Sequence, residues 1–116
     1  MLENTGIGID ICDVKKFRQI PFKSKPEFYK KLFSQSEIKY CLKFKNYYEH
    51  FAGKFAIKEA VKKSIQHKTL MLDIITYHVN SKPHVRLKSN KKYSFYVSMS
   101  HENNIAIAVV LSELKK

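Results

Sequence analysis

Helix signals crowd the first half of this chain and strand signals the second, and that segregation predicts an α+β fold, with helices packed on a small, mainly antiparallel sheet. The helical half holds two Ser-x-x-Glu patterns and one long helical candidate, Tyr47 to Gln66. From Leu70 onward the apolar period changes to two, with turn residues between the runs. A length of 116 residues suits one domain, 1–116, around one core.

In chain order, Gly6-Ile7-Gly8-Ile9-Asp10-Ile11 reads as the first strand. Period two puts Ile7, Ile9 and Ile11 on one face, expected to be core, and Gly6, Gly8 and Asp10 on the other. Two missing side chains beside a carboxylate leave room for something bulky to approach the backbone. Read alone, the strand favours a plainer explanation, an acid in water and glycines that permit a bulge, because a lone G-x-G carries little information.

Asp13 is placed to cap a short helix running through Ile20. Ser24 with Glu27 and Ser34 with Glu37 each read as a capping box, with Pro26 in the first turn of the earlier helix. The later helix carries Ile38, Cys41 and Leu42 at core spacing. Beyond the long helix, two strand runs flank the turn Asn80-Ser81-Lys82-Pro83. A third strand alternates Tyr93, Phe95, Val97 and Met99 on one face. The closing run, apolar on both faces, suits a central strand, and His101 to Asn104 connects it to the strand before.

Composition narrows the partners. Twenty-two Lys plus Arg against ten acids give a net charge of +12, which draws anionic partners such as nucleic acid, phosphorylated ligands, anionic membrane or a strongly acidic protein. No apolar run approaches the roughly 20 residues of a membrane-spanning helix. No basic region followed by an apolar one opens the chain. Cys12 and Cys41 have neither zinc-like nor disulfide-framework spacing, so a reduced, cytoplasmic protein is expected.

Three positions have chemical potential. Glu59 projects close to Ala52, Phe55 and Ala56 on the long helix, and a glutamate in an apolar stripe needs a partner or a metal. Lys63 stands one turn later, and a simple surface pair between the two is the competing reading. His101 lies at a strand end, where a solvated histidine is common and a ligand contact is the alternative. His50, His67, His78 and His84 show no metal spacing and are given no role. Asp10 and Glu59, on separate elements, suit magnesium, an ion that bridges one or two carboxylates to substrate phosphates. Lys54, Lys58, Lys62 and Lys63 could neutralise phosphate, so handling of a phosphate ester is the chemistry indicated.

Three blocks together, GIGIDI, FAGKFAIKEAVKKSI and VSMSH before a closing apolar strand, resemble the short class of 4′-phosphopantetheinyl transferases, the holo-acyl-carrier-protein synthase family. The resemblance covers essentially the whole chain, and the K-E-A block is its most specific part. It implies magnesium-dependent transfer of phosphopantetheine from coenzyme A to a serine of apo-acyl carrier protein, releasing 3′,5′-ADP. By the same resemblance Asp10 and Glu59 are the metal ligands, and Glu59 is also the base for the serine hydroxyl. Lys63 stabilises the leaving phosphate, Lys54 stands near the nucleotide phosphates, and His101 touches the coenzyme, commonly across a subunit boundary.

The resemblance further implies an acidic carrier protein docking on the helix after Asp10 through Lys15, Lys16 and Arg18, and a homotrimer with interfacial sites. Three departures stand out: no glycine in the turn Ser64 to Lys68, Ser81 where a glycine is customary, and Lys54 where arginine is usual. A small basic nucleic-acid-binding module, and a coenzyme A-binding relative without transferase activity, are the competing functions. The tyrosines and phenylalanines could supply stacking for the former.

Overall fold

Strand β1 (Thr5–Asp13) runs directly into helix α1 (Val14–Arg18), and Asp13 makes the junction, accepting a hydrogen bond from the Lys15 amide at 2.9 Å. The structure, a computed structural model, describes residues 3–116, so Met1 and Leu2, on which the expected lack of a leader partly rests, lie outside the described residues. Helix α1 stops at Arg18, two residues short of the expected Ile20. Short helices α2 (Pro26–Lys30) and α3 (Gln35–Cys41) follow, then the long helix α4 (Tyr47–Ser64). A single 3₁₀ turn, Met71–Asp73, leads into β2 (Ile74–Val79) and β3 (Lys82–Leu87), and β4 (Tyr93–Glu102) and β5 (Ile105–Leu114) close the chain.

The fold is α+β as expected. Strands β1, β5 and β4 form one antiparallel sheet in that order, while β2 and β3 form a separate hairpin. Strand β5 is central, but only one of its faces is covered: Ala106, Ala108 and Val110 are buried, whereas Ile105, Ile107 and Leu111 are exposed. His101 belongs to β4, paired opposite Ala106, rather than to the connection that follows.

Of the two expected capping boxes, the structure forms one. Ser34 Oγ accepts from the Glu37 amide at 3.3 Å, and Glu37 Oε1 accepts from the Ser34 amide at 2.8 Å. The Ser24–Glu27 pair does not form, because Lys25 is the residue at the helix boundary and the Ser24 hydroxyl donates to the Pro21 carbonyl instead. Cys41 is fully buried, but Leu42, expected beside it, is 39% exposed where the helix ends.

The largest correction concerns β1. Ile7, Ile9 and Ile11 are 66, 57 and 64% exposed, and the face of Gly6, Gly8, Asp10 and Cys12 turns inward. Helix α4 lies against that inner face and reaches across β5 to β4. A Cβ on Gly8 would sit 1.9 Å from the Ala60 carbonyl oxygen, and one on Gly6 would sit 1.8 Å from that of Ser64. The glycines therefore admit the helix backbone, not a substrate. Ala106 and Ala108 continue the shallow surface on β5, and isoleucines in these rows would hold the helix off. Tyr29, Phe33 and Phe51 fill the space between the short helices and α4, where the Tyr29 hydroxyl donates to carbonyls at the end of α1.

Candidate active site

Helix α4 divides the candidate residues between its two flanks. On the β1 flank, Asp10 points under the last turns of the helix, its side chain 14% exposed, and Lys63 reaches down to it. The Lys63 ammonium donates to Asp10 Oδ1 and to the Ile9 carbonyl, each at 3.0 Å. Glu59 lies one turn before Lys63 on the helix and faces Lys62 at 3.7 Å, so the expected Glu59–Lys63 surface pair is replaced by two different pairs. Cys12 is buried two residues after Asp10 on the same face. Burial, then the Asp10 charge, push its thiol up to about 11, and Glu59 adds to the effect. Asp10 and Glu59 thus lie on the same flank of α4, one on the strand beneath it and the other one turn before the lysine that bonds Asp10.

Lys54 and His101 are not brought to this pair. Five positions separate Lys54 from Glu59, which places them about 140° apart around the helix axis. Lys54 is 4% exposed; its ammonium donates to Thr76 Oγ1 at 2.9 Å and lies 4.7 Å from the Tyr40 ring. On the sheet, Asp10, Ala108 and Met99 stand in one row, and Cys12, Ala106 and His101 in the next. His101 is therefore on the far strand, two strand spacings or about 10 Å from β1, with α4 over the strand between.

Lys15, Lys16 and Arg18 are exposed on α1 as expected, next to the Asp10 flank. Arg18 also bonds the Asn104 side chain and approaches Glu49 at 3.9 Å. Between α1 and α4 lies a cleft of about 280 Å³ lined by Cys12, Lys16, Phe17, Ile20 and Phe55.

A buried charge network escaped the sequence reading. Glu37 and Lys58 are both fully buried and meet at 2.7 Å. Lys58 also donates to the carbonyls of Leu32 at 2.8 Å and Met71 at 3.1 Å. The second carboxylate oxygen of Glu37 accepts from the amide and hydroxyl of Thr76, at 2.8 and 2.6 Å. Burial pushes the Glu37 carboxyl up, but the Lys58 charge and the hydrogen bonds from Lys58, Thr76 and Ser34 outweigh it and hold the group below the usual carboxylate range. For Lys58, burial is the larger influence and draws it below the usual lysine value, while its three acceptors favour the ammonium form. This network joins α3, α4 and β2, and it fixes the residue immediately before Glu59. The available signal was Lys58 itself, a lysine at a core-facing position of α4.

In the β2–β3 turn, Asn80 and Ser81 have φ of 51° and 67°, the left-handed backbone of a two-residue hairpin turn. A glycine is favoured at such a position, and Ser81 adopts it at a cost. Among the described residues, no group of three or more His, Cys, Asp or Glu side chains is arranged to hold a metal.

A helix laid on a three-stranded antiparallel sheet, with paired carboxylates and lysines on one flank, defines an α+β domain with a charged cluster at the helix–strand junction. Residues 6–110 match the 4′-phosphopantetheinyl transferase superfamily. The chain is 38% identical over 110 residues to a holo-[acyl-carrier-protein] synthase of Thermodesulfovibrio yellowstonii, covering 91% of this chain and 96% of that protein. Among solved structures, the synthase of Helicobacter pylori in complex with coenzyme A superposes with a TM-score of 0.79 at 32% identity, covering 92% of this chain and 99% of that one. The synthase of Bacillus anthracis in complex with CoA (3′,5′-ADP) gives 0.80 at 26% identity, covering 95 and 96%. The chain belongs to the 4′-phosphopantetheinyl transferase superfamily.

Proposed function

We propose that this protein transfers the 4′-phosphopantetheine group of coenzyme A to a serine of an apo-acyl carrier protein. The observation that carries this reading is the Asp10, Glu59 and Lys63 constellation on one flank of α4, within a chain matched to the family over residues 6–110. The serine oxygen forms a bond to the β-phosphorus of the coenzyme, the bond from that phosphorus to the bridging oxygen breaks, and 3′,5′-ADP departs. Glu59 accepts the serine proton, and Lys63 neutralises charge on the leaving phosphate. Glu59 thus acts as a general base and Lys63 as a charge stabiliser, and neither forms a covalent intermediate.

Two carboxylates on one flank of α4 are oxygen donors of the kind magnesium takes beside substrate phosphates. Asp10 and Glu59 would hold it, and the bound ion would supply neutralisation of the pyrophosphate. Without that charge, two carboxylates would repel the substrate.

The carrier is acidic on this reading, and the exposed Lys15 and Lys16 on α1, beside the Asp10 flank, are its docking charges within a net +12. The functional unit is a homotrimer. Ile7, Ile9 and Ile11 form an uncovered apolar face with Leu111 and Tyr96, which are 49 and 69% exposed, and a second copy would cover it. Assembly would also supply what one chain lacks, the Lys54 and His101 flank of one subunit set against the Asp10 and Glu59 flank of the next. One domain over the whole chain, a cytoplasmic setting and service to fatty-acid synthesis complete the reading.

The test is to incubate the protein with coenzyme A, magnesium and apo-acyl carrier protein and to follow the carrier's intact mass. A phosphopantetheine adduct is expected, abolished in Asp10→Ala and Glu59→Ala while the fold persists. Absence of the adduct with several acidic carriers overturns the transferase reading, and near-normal activity of either variant removes the metal site as drawn.

A further inference from the structure

Helix α1 has five residues, too few to hold a shape or a pose without tertiary contacts. Packing fixes its inner face: Val14 and Phe17 are buried, and the Phe17 ring meets Phe55 of α4 edge-on at 5.6 Å. Its two ends are held by one residue, Asn104, in the β4–β5 turn. The Asn104 carbonyl accepts from the Val14 amide at 2.7 Å, and the Asn104 side-chain oxygen accepts from Arg18 Nη1 at 2.5 Å. Val14 and Arg18 stand four positions apart, about one helical turn, so Asn104 grips the first and the last residue of α1 together. The turn is a firm anchor, because the β4–β5 ladder continues to Glu102 opposite Ile105, directly before Asn104 is reached from either side.

Arg18 differs in this from the lysines beside it. Lys16 and Arg18 lie about 160° apart around the helix axis. Lys16 lines the cleft it shares with Cys12 and Phe55, on the side of Asp10, so Arg18 projects away from that cleft. Its second terminal nitrogen approaches Glu49 at 3.9 Å. Glu49 is in the first turn of α4, about 15 Å along the helix from Glu59. The guanidinium is therefore engaged within the chain, by an amide oxygen on one element and a carboxylate on another, while no acid lies within ion-pair distance of Lys15 or Lys16 among the described residues.

We propose that Arg18 is a positioning residue: through Asn104 and Glu49 it fixes the pose of α1, so that Lys15 and Lys16 meet the acidic carrier in a set arrangement, and it is not itself a docking charge. The inference rests on the carrier reading above and deepens it. A helix released at its Arg18 end tilts about its Val14 end and must be ordered again when the carrier binds. That weakens carrier binding without changing how many charges face the carrier, so the salt dependence of association stays as it was.

The experiment is steady-state kinetics with magnesium, coenzyme A and an apo-acyl carrier protein over a series of salt concentrations, for the parent, Arg18→Met, Asn104→Ala and the double variant. Arg18→Met keeps the aliphatic stem. Asn104→Ala removes no charge and keeps the carbonyl that serves Val14, and the left-handed φ of the turn falls at Asn103, so alanine is accommodated at 104. Each single variant is expected to raise the carrier KM about three- to tenfold, the range one hydrogen bond supplies. The double variant is expected to be no worse than either single, since both remove the same contact. The coenzyme KM stays unchanged, and Asn104→Ala keeps the salt slope of the parent. A normal carrier KM in Asn104→Ala, with a raised KM and a flattened salt slope in Arg18→Met, makes Arg18 a docking charge and overturns the proposal. A fall in kcat with both KM values unchanged shows a merely structural contact and overturns it too. No turnover by the parent overturns the carrier reading and this proposal with it.

Discussion

Replacing Gly8 with alanine separates two accounts of the first strand. If the glycine cleared space for substrate, a methyl group there would impair coenzyme binding and leave the fold alone. The structure requires the reverse. The new Cβ would lie 1.9 Å from the Ala60 carbonyl oxygen and 2.9 Å from the Ser64 nitrogen, against an ordinary contact of 3.4–4 Å. Both obstacles are helix backbone, so no side chain can swing away, and β1 and α4 must separate by about 1.5 Å, the shortfall against ordinary contact. Overpacking of this kind costs about 1–3 kcal/mol, and a rigid obstacle puts Gly8→Ala at the upper end, about 3 kcal/mol. At about 4 °C per kcal/mol for a chain of this size, the melting temperature falls by about 12 °C. Because helix α4 carries Glu59 and Lys63, kcat also falls, on the order of 100-fold for a displacement of about an ångström. The assay is thermal unfolding at matched protomer concentration, paired with steady-state kinetics. A melting temperature within about 2 °C of the parent, with a raised KM for coenzyme A, would refute the packing account.

Glu37→Ala strands the Lys58 ammonium in the core and should cost about 3–5 kcal/mol in chemical denaturation, while the double change Glu37→Met with Lys58→Met recovers most of it; a double variant no more stable than the single would refute the pairing. Since the folded Glu37 titrates below its unfolded value of about 4.3, its stabilisation is present above that pH and is lost as pH falls through the folded value, so the acid limb of the stability curve should be shallower in the double variant. Ser81→Gly relieves left-handed strain of about 1–2 kcal/mol against an entropic cost of about 0.5–1 kcal/mol, and a melting temperature about 2 °C higher is expected; a decrease would show that the turn holds Ser81 without strain.

What the sequence determined by itself was local and periodic. The Asp13 cap, the Ser34–Glu37 box, the long α4 and the alternation along β4 follow from short-range backbone chemistry, and each forms. Asp10, Glu59 and Lys63 stand out in their own segments, an acid on a glycine-bearing strand and charges on an apolar helix, but only the fold shows that Lys63 bonds Asp10 rather than Glu59. Which face of β1 is inside was not legible. Period two separates the isoleucines from the glycines, but only the arrival of α4 decides that the smooth face is covered and the bulky one exposed. The same holds for pairs distant in the chain. Glu37 and Lys58 find each other across 21 positions, Lys54 and His101 fall on the opposite flank from Asp10, and His50 and His78 converge on one tyrosine. The physical reason is that hydrogen-bonded turns and side-chain alternation are set by neighbours in sequence. Burial, charge partnership and the division of a site across a helix are set by how α4 packs on the sheet, which no single segment encodes.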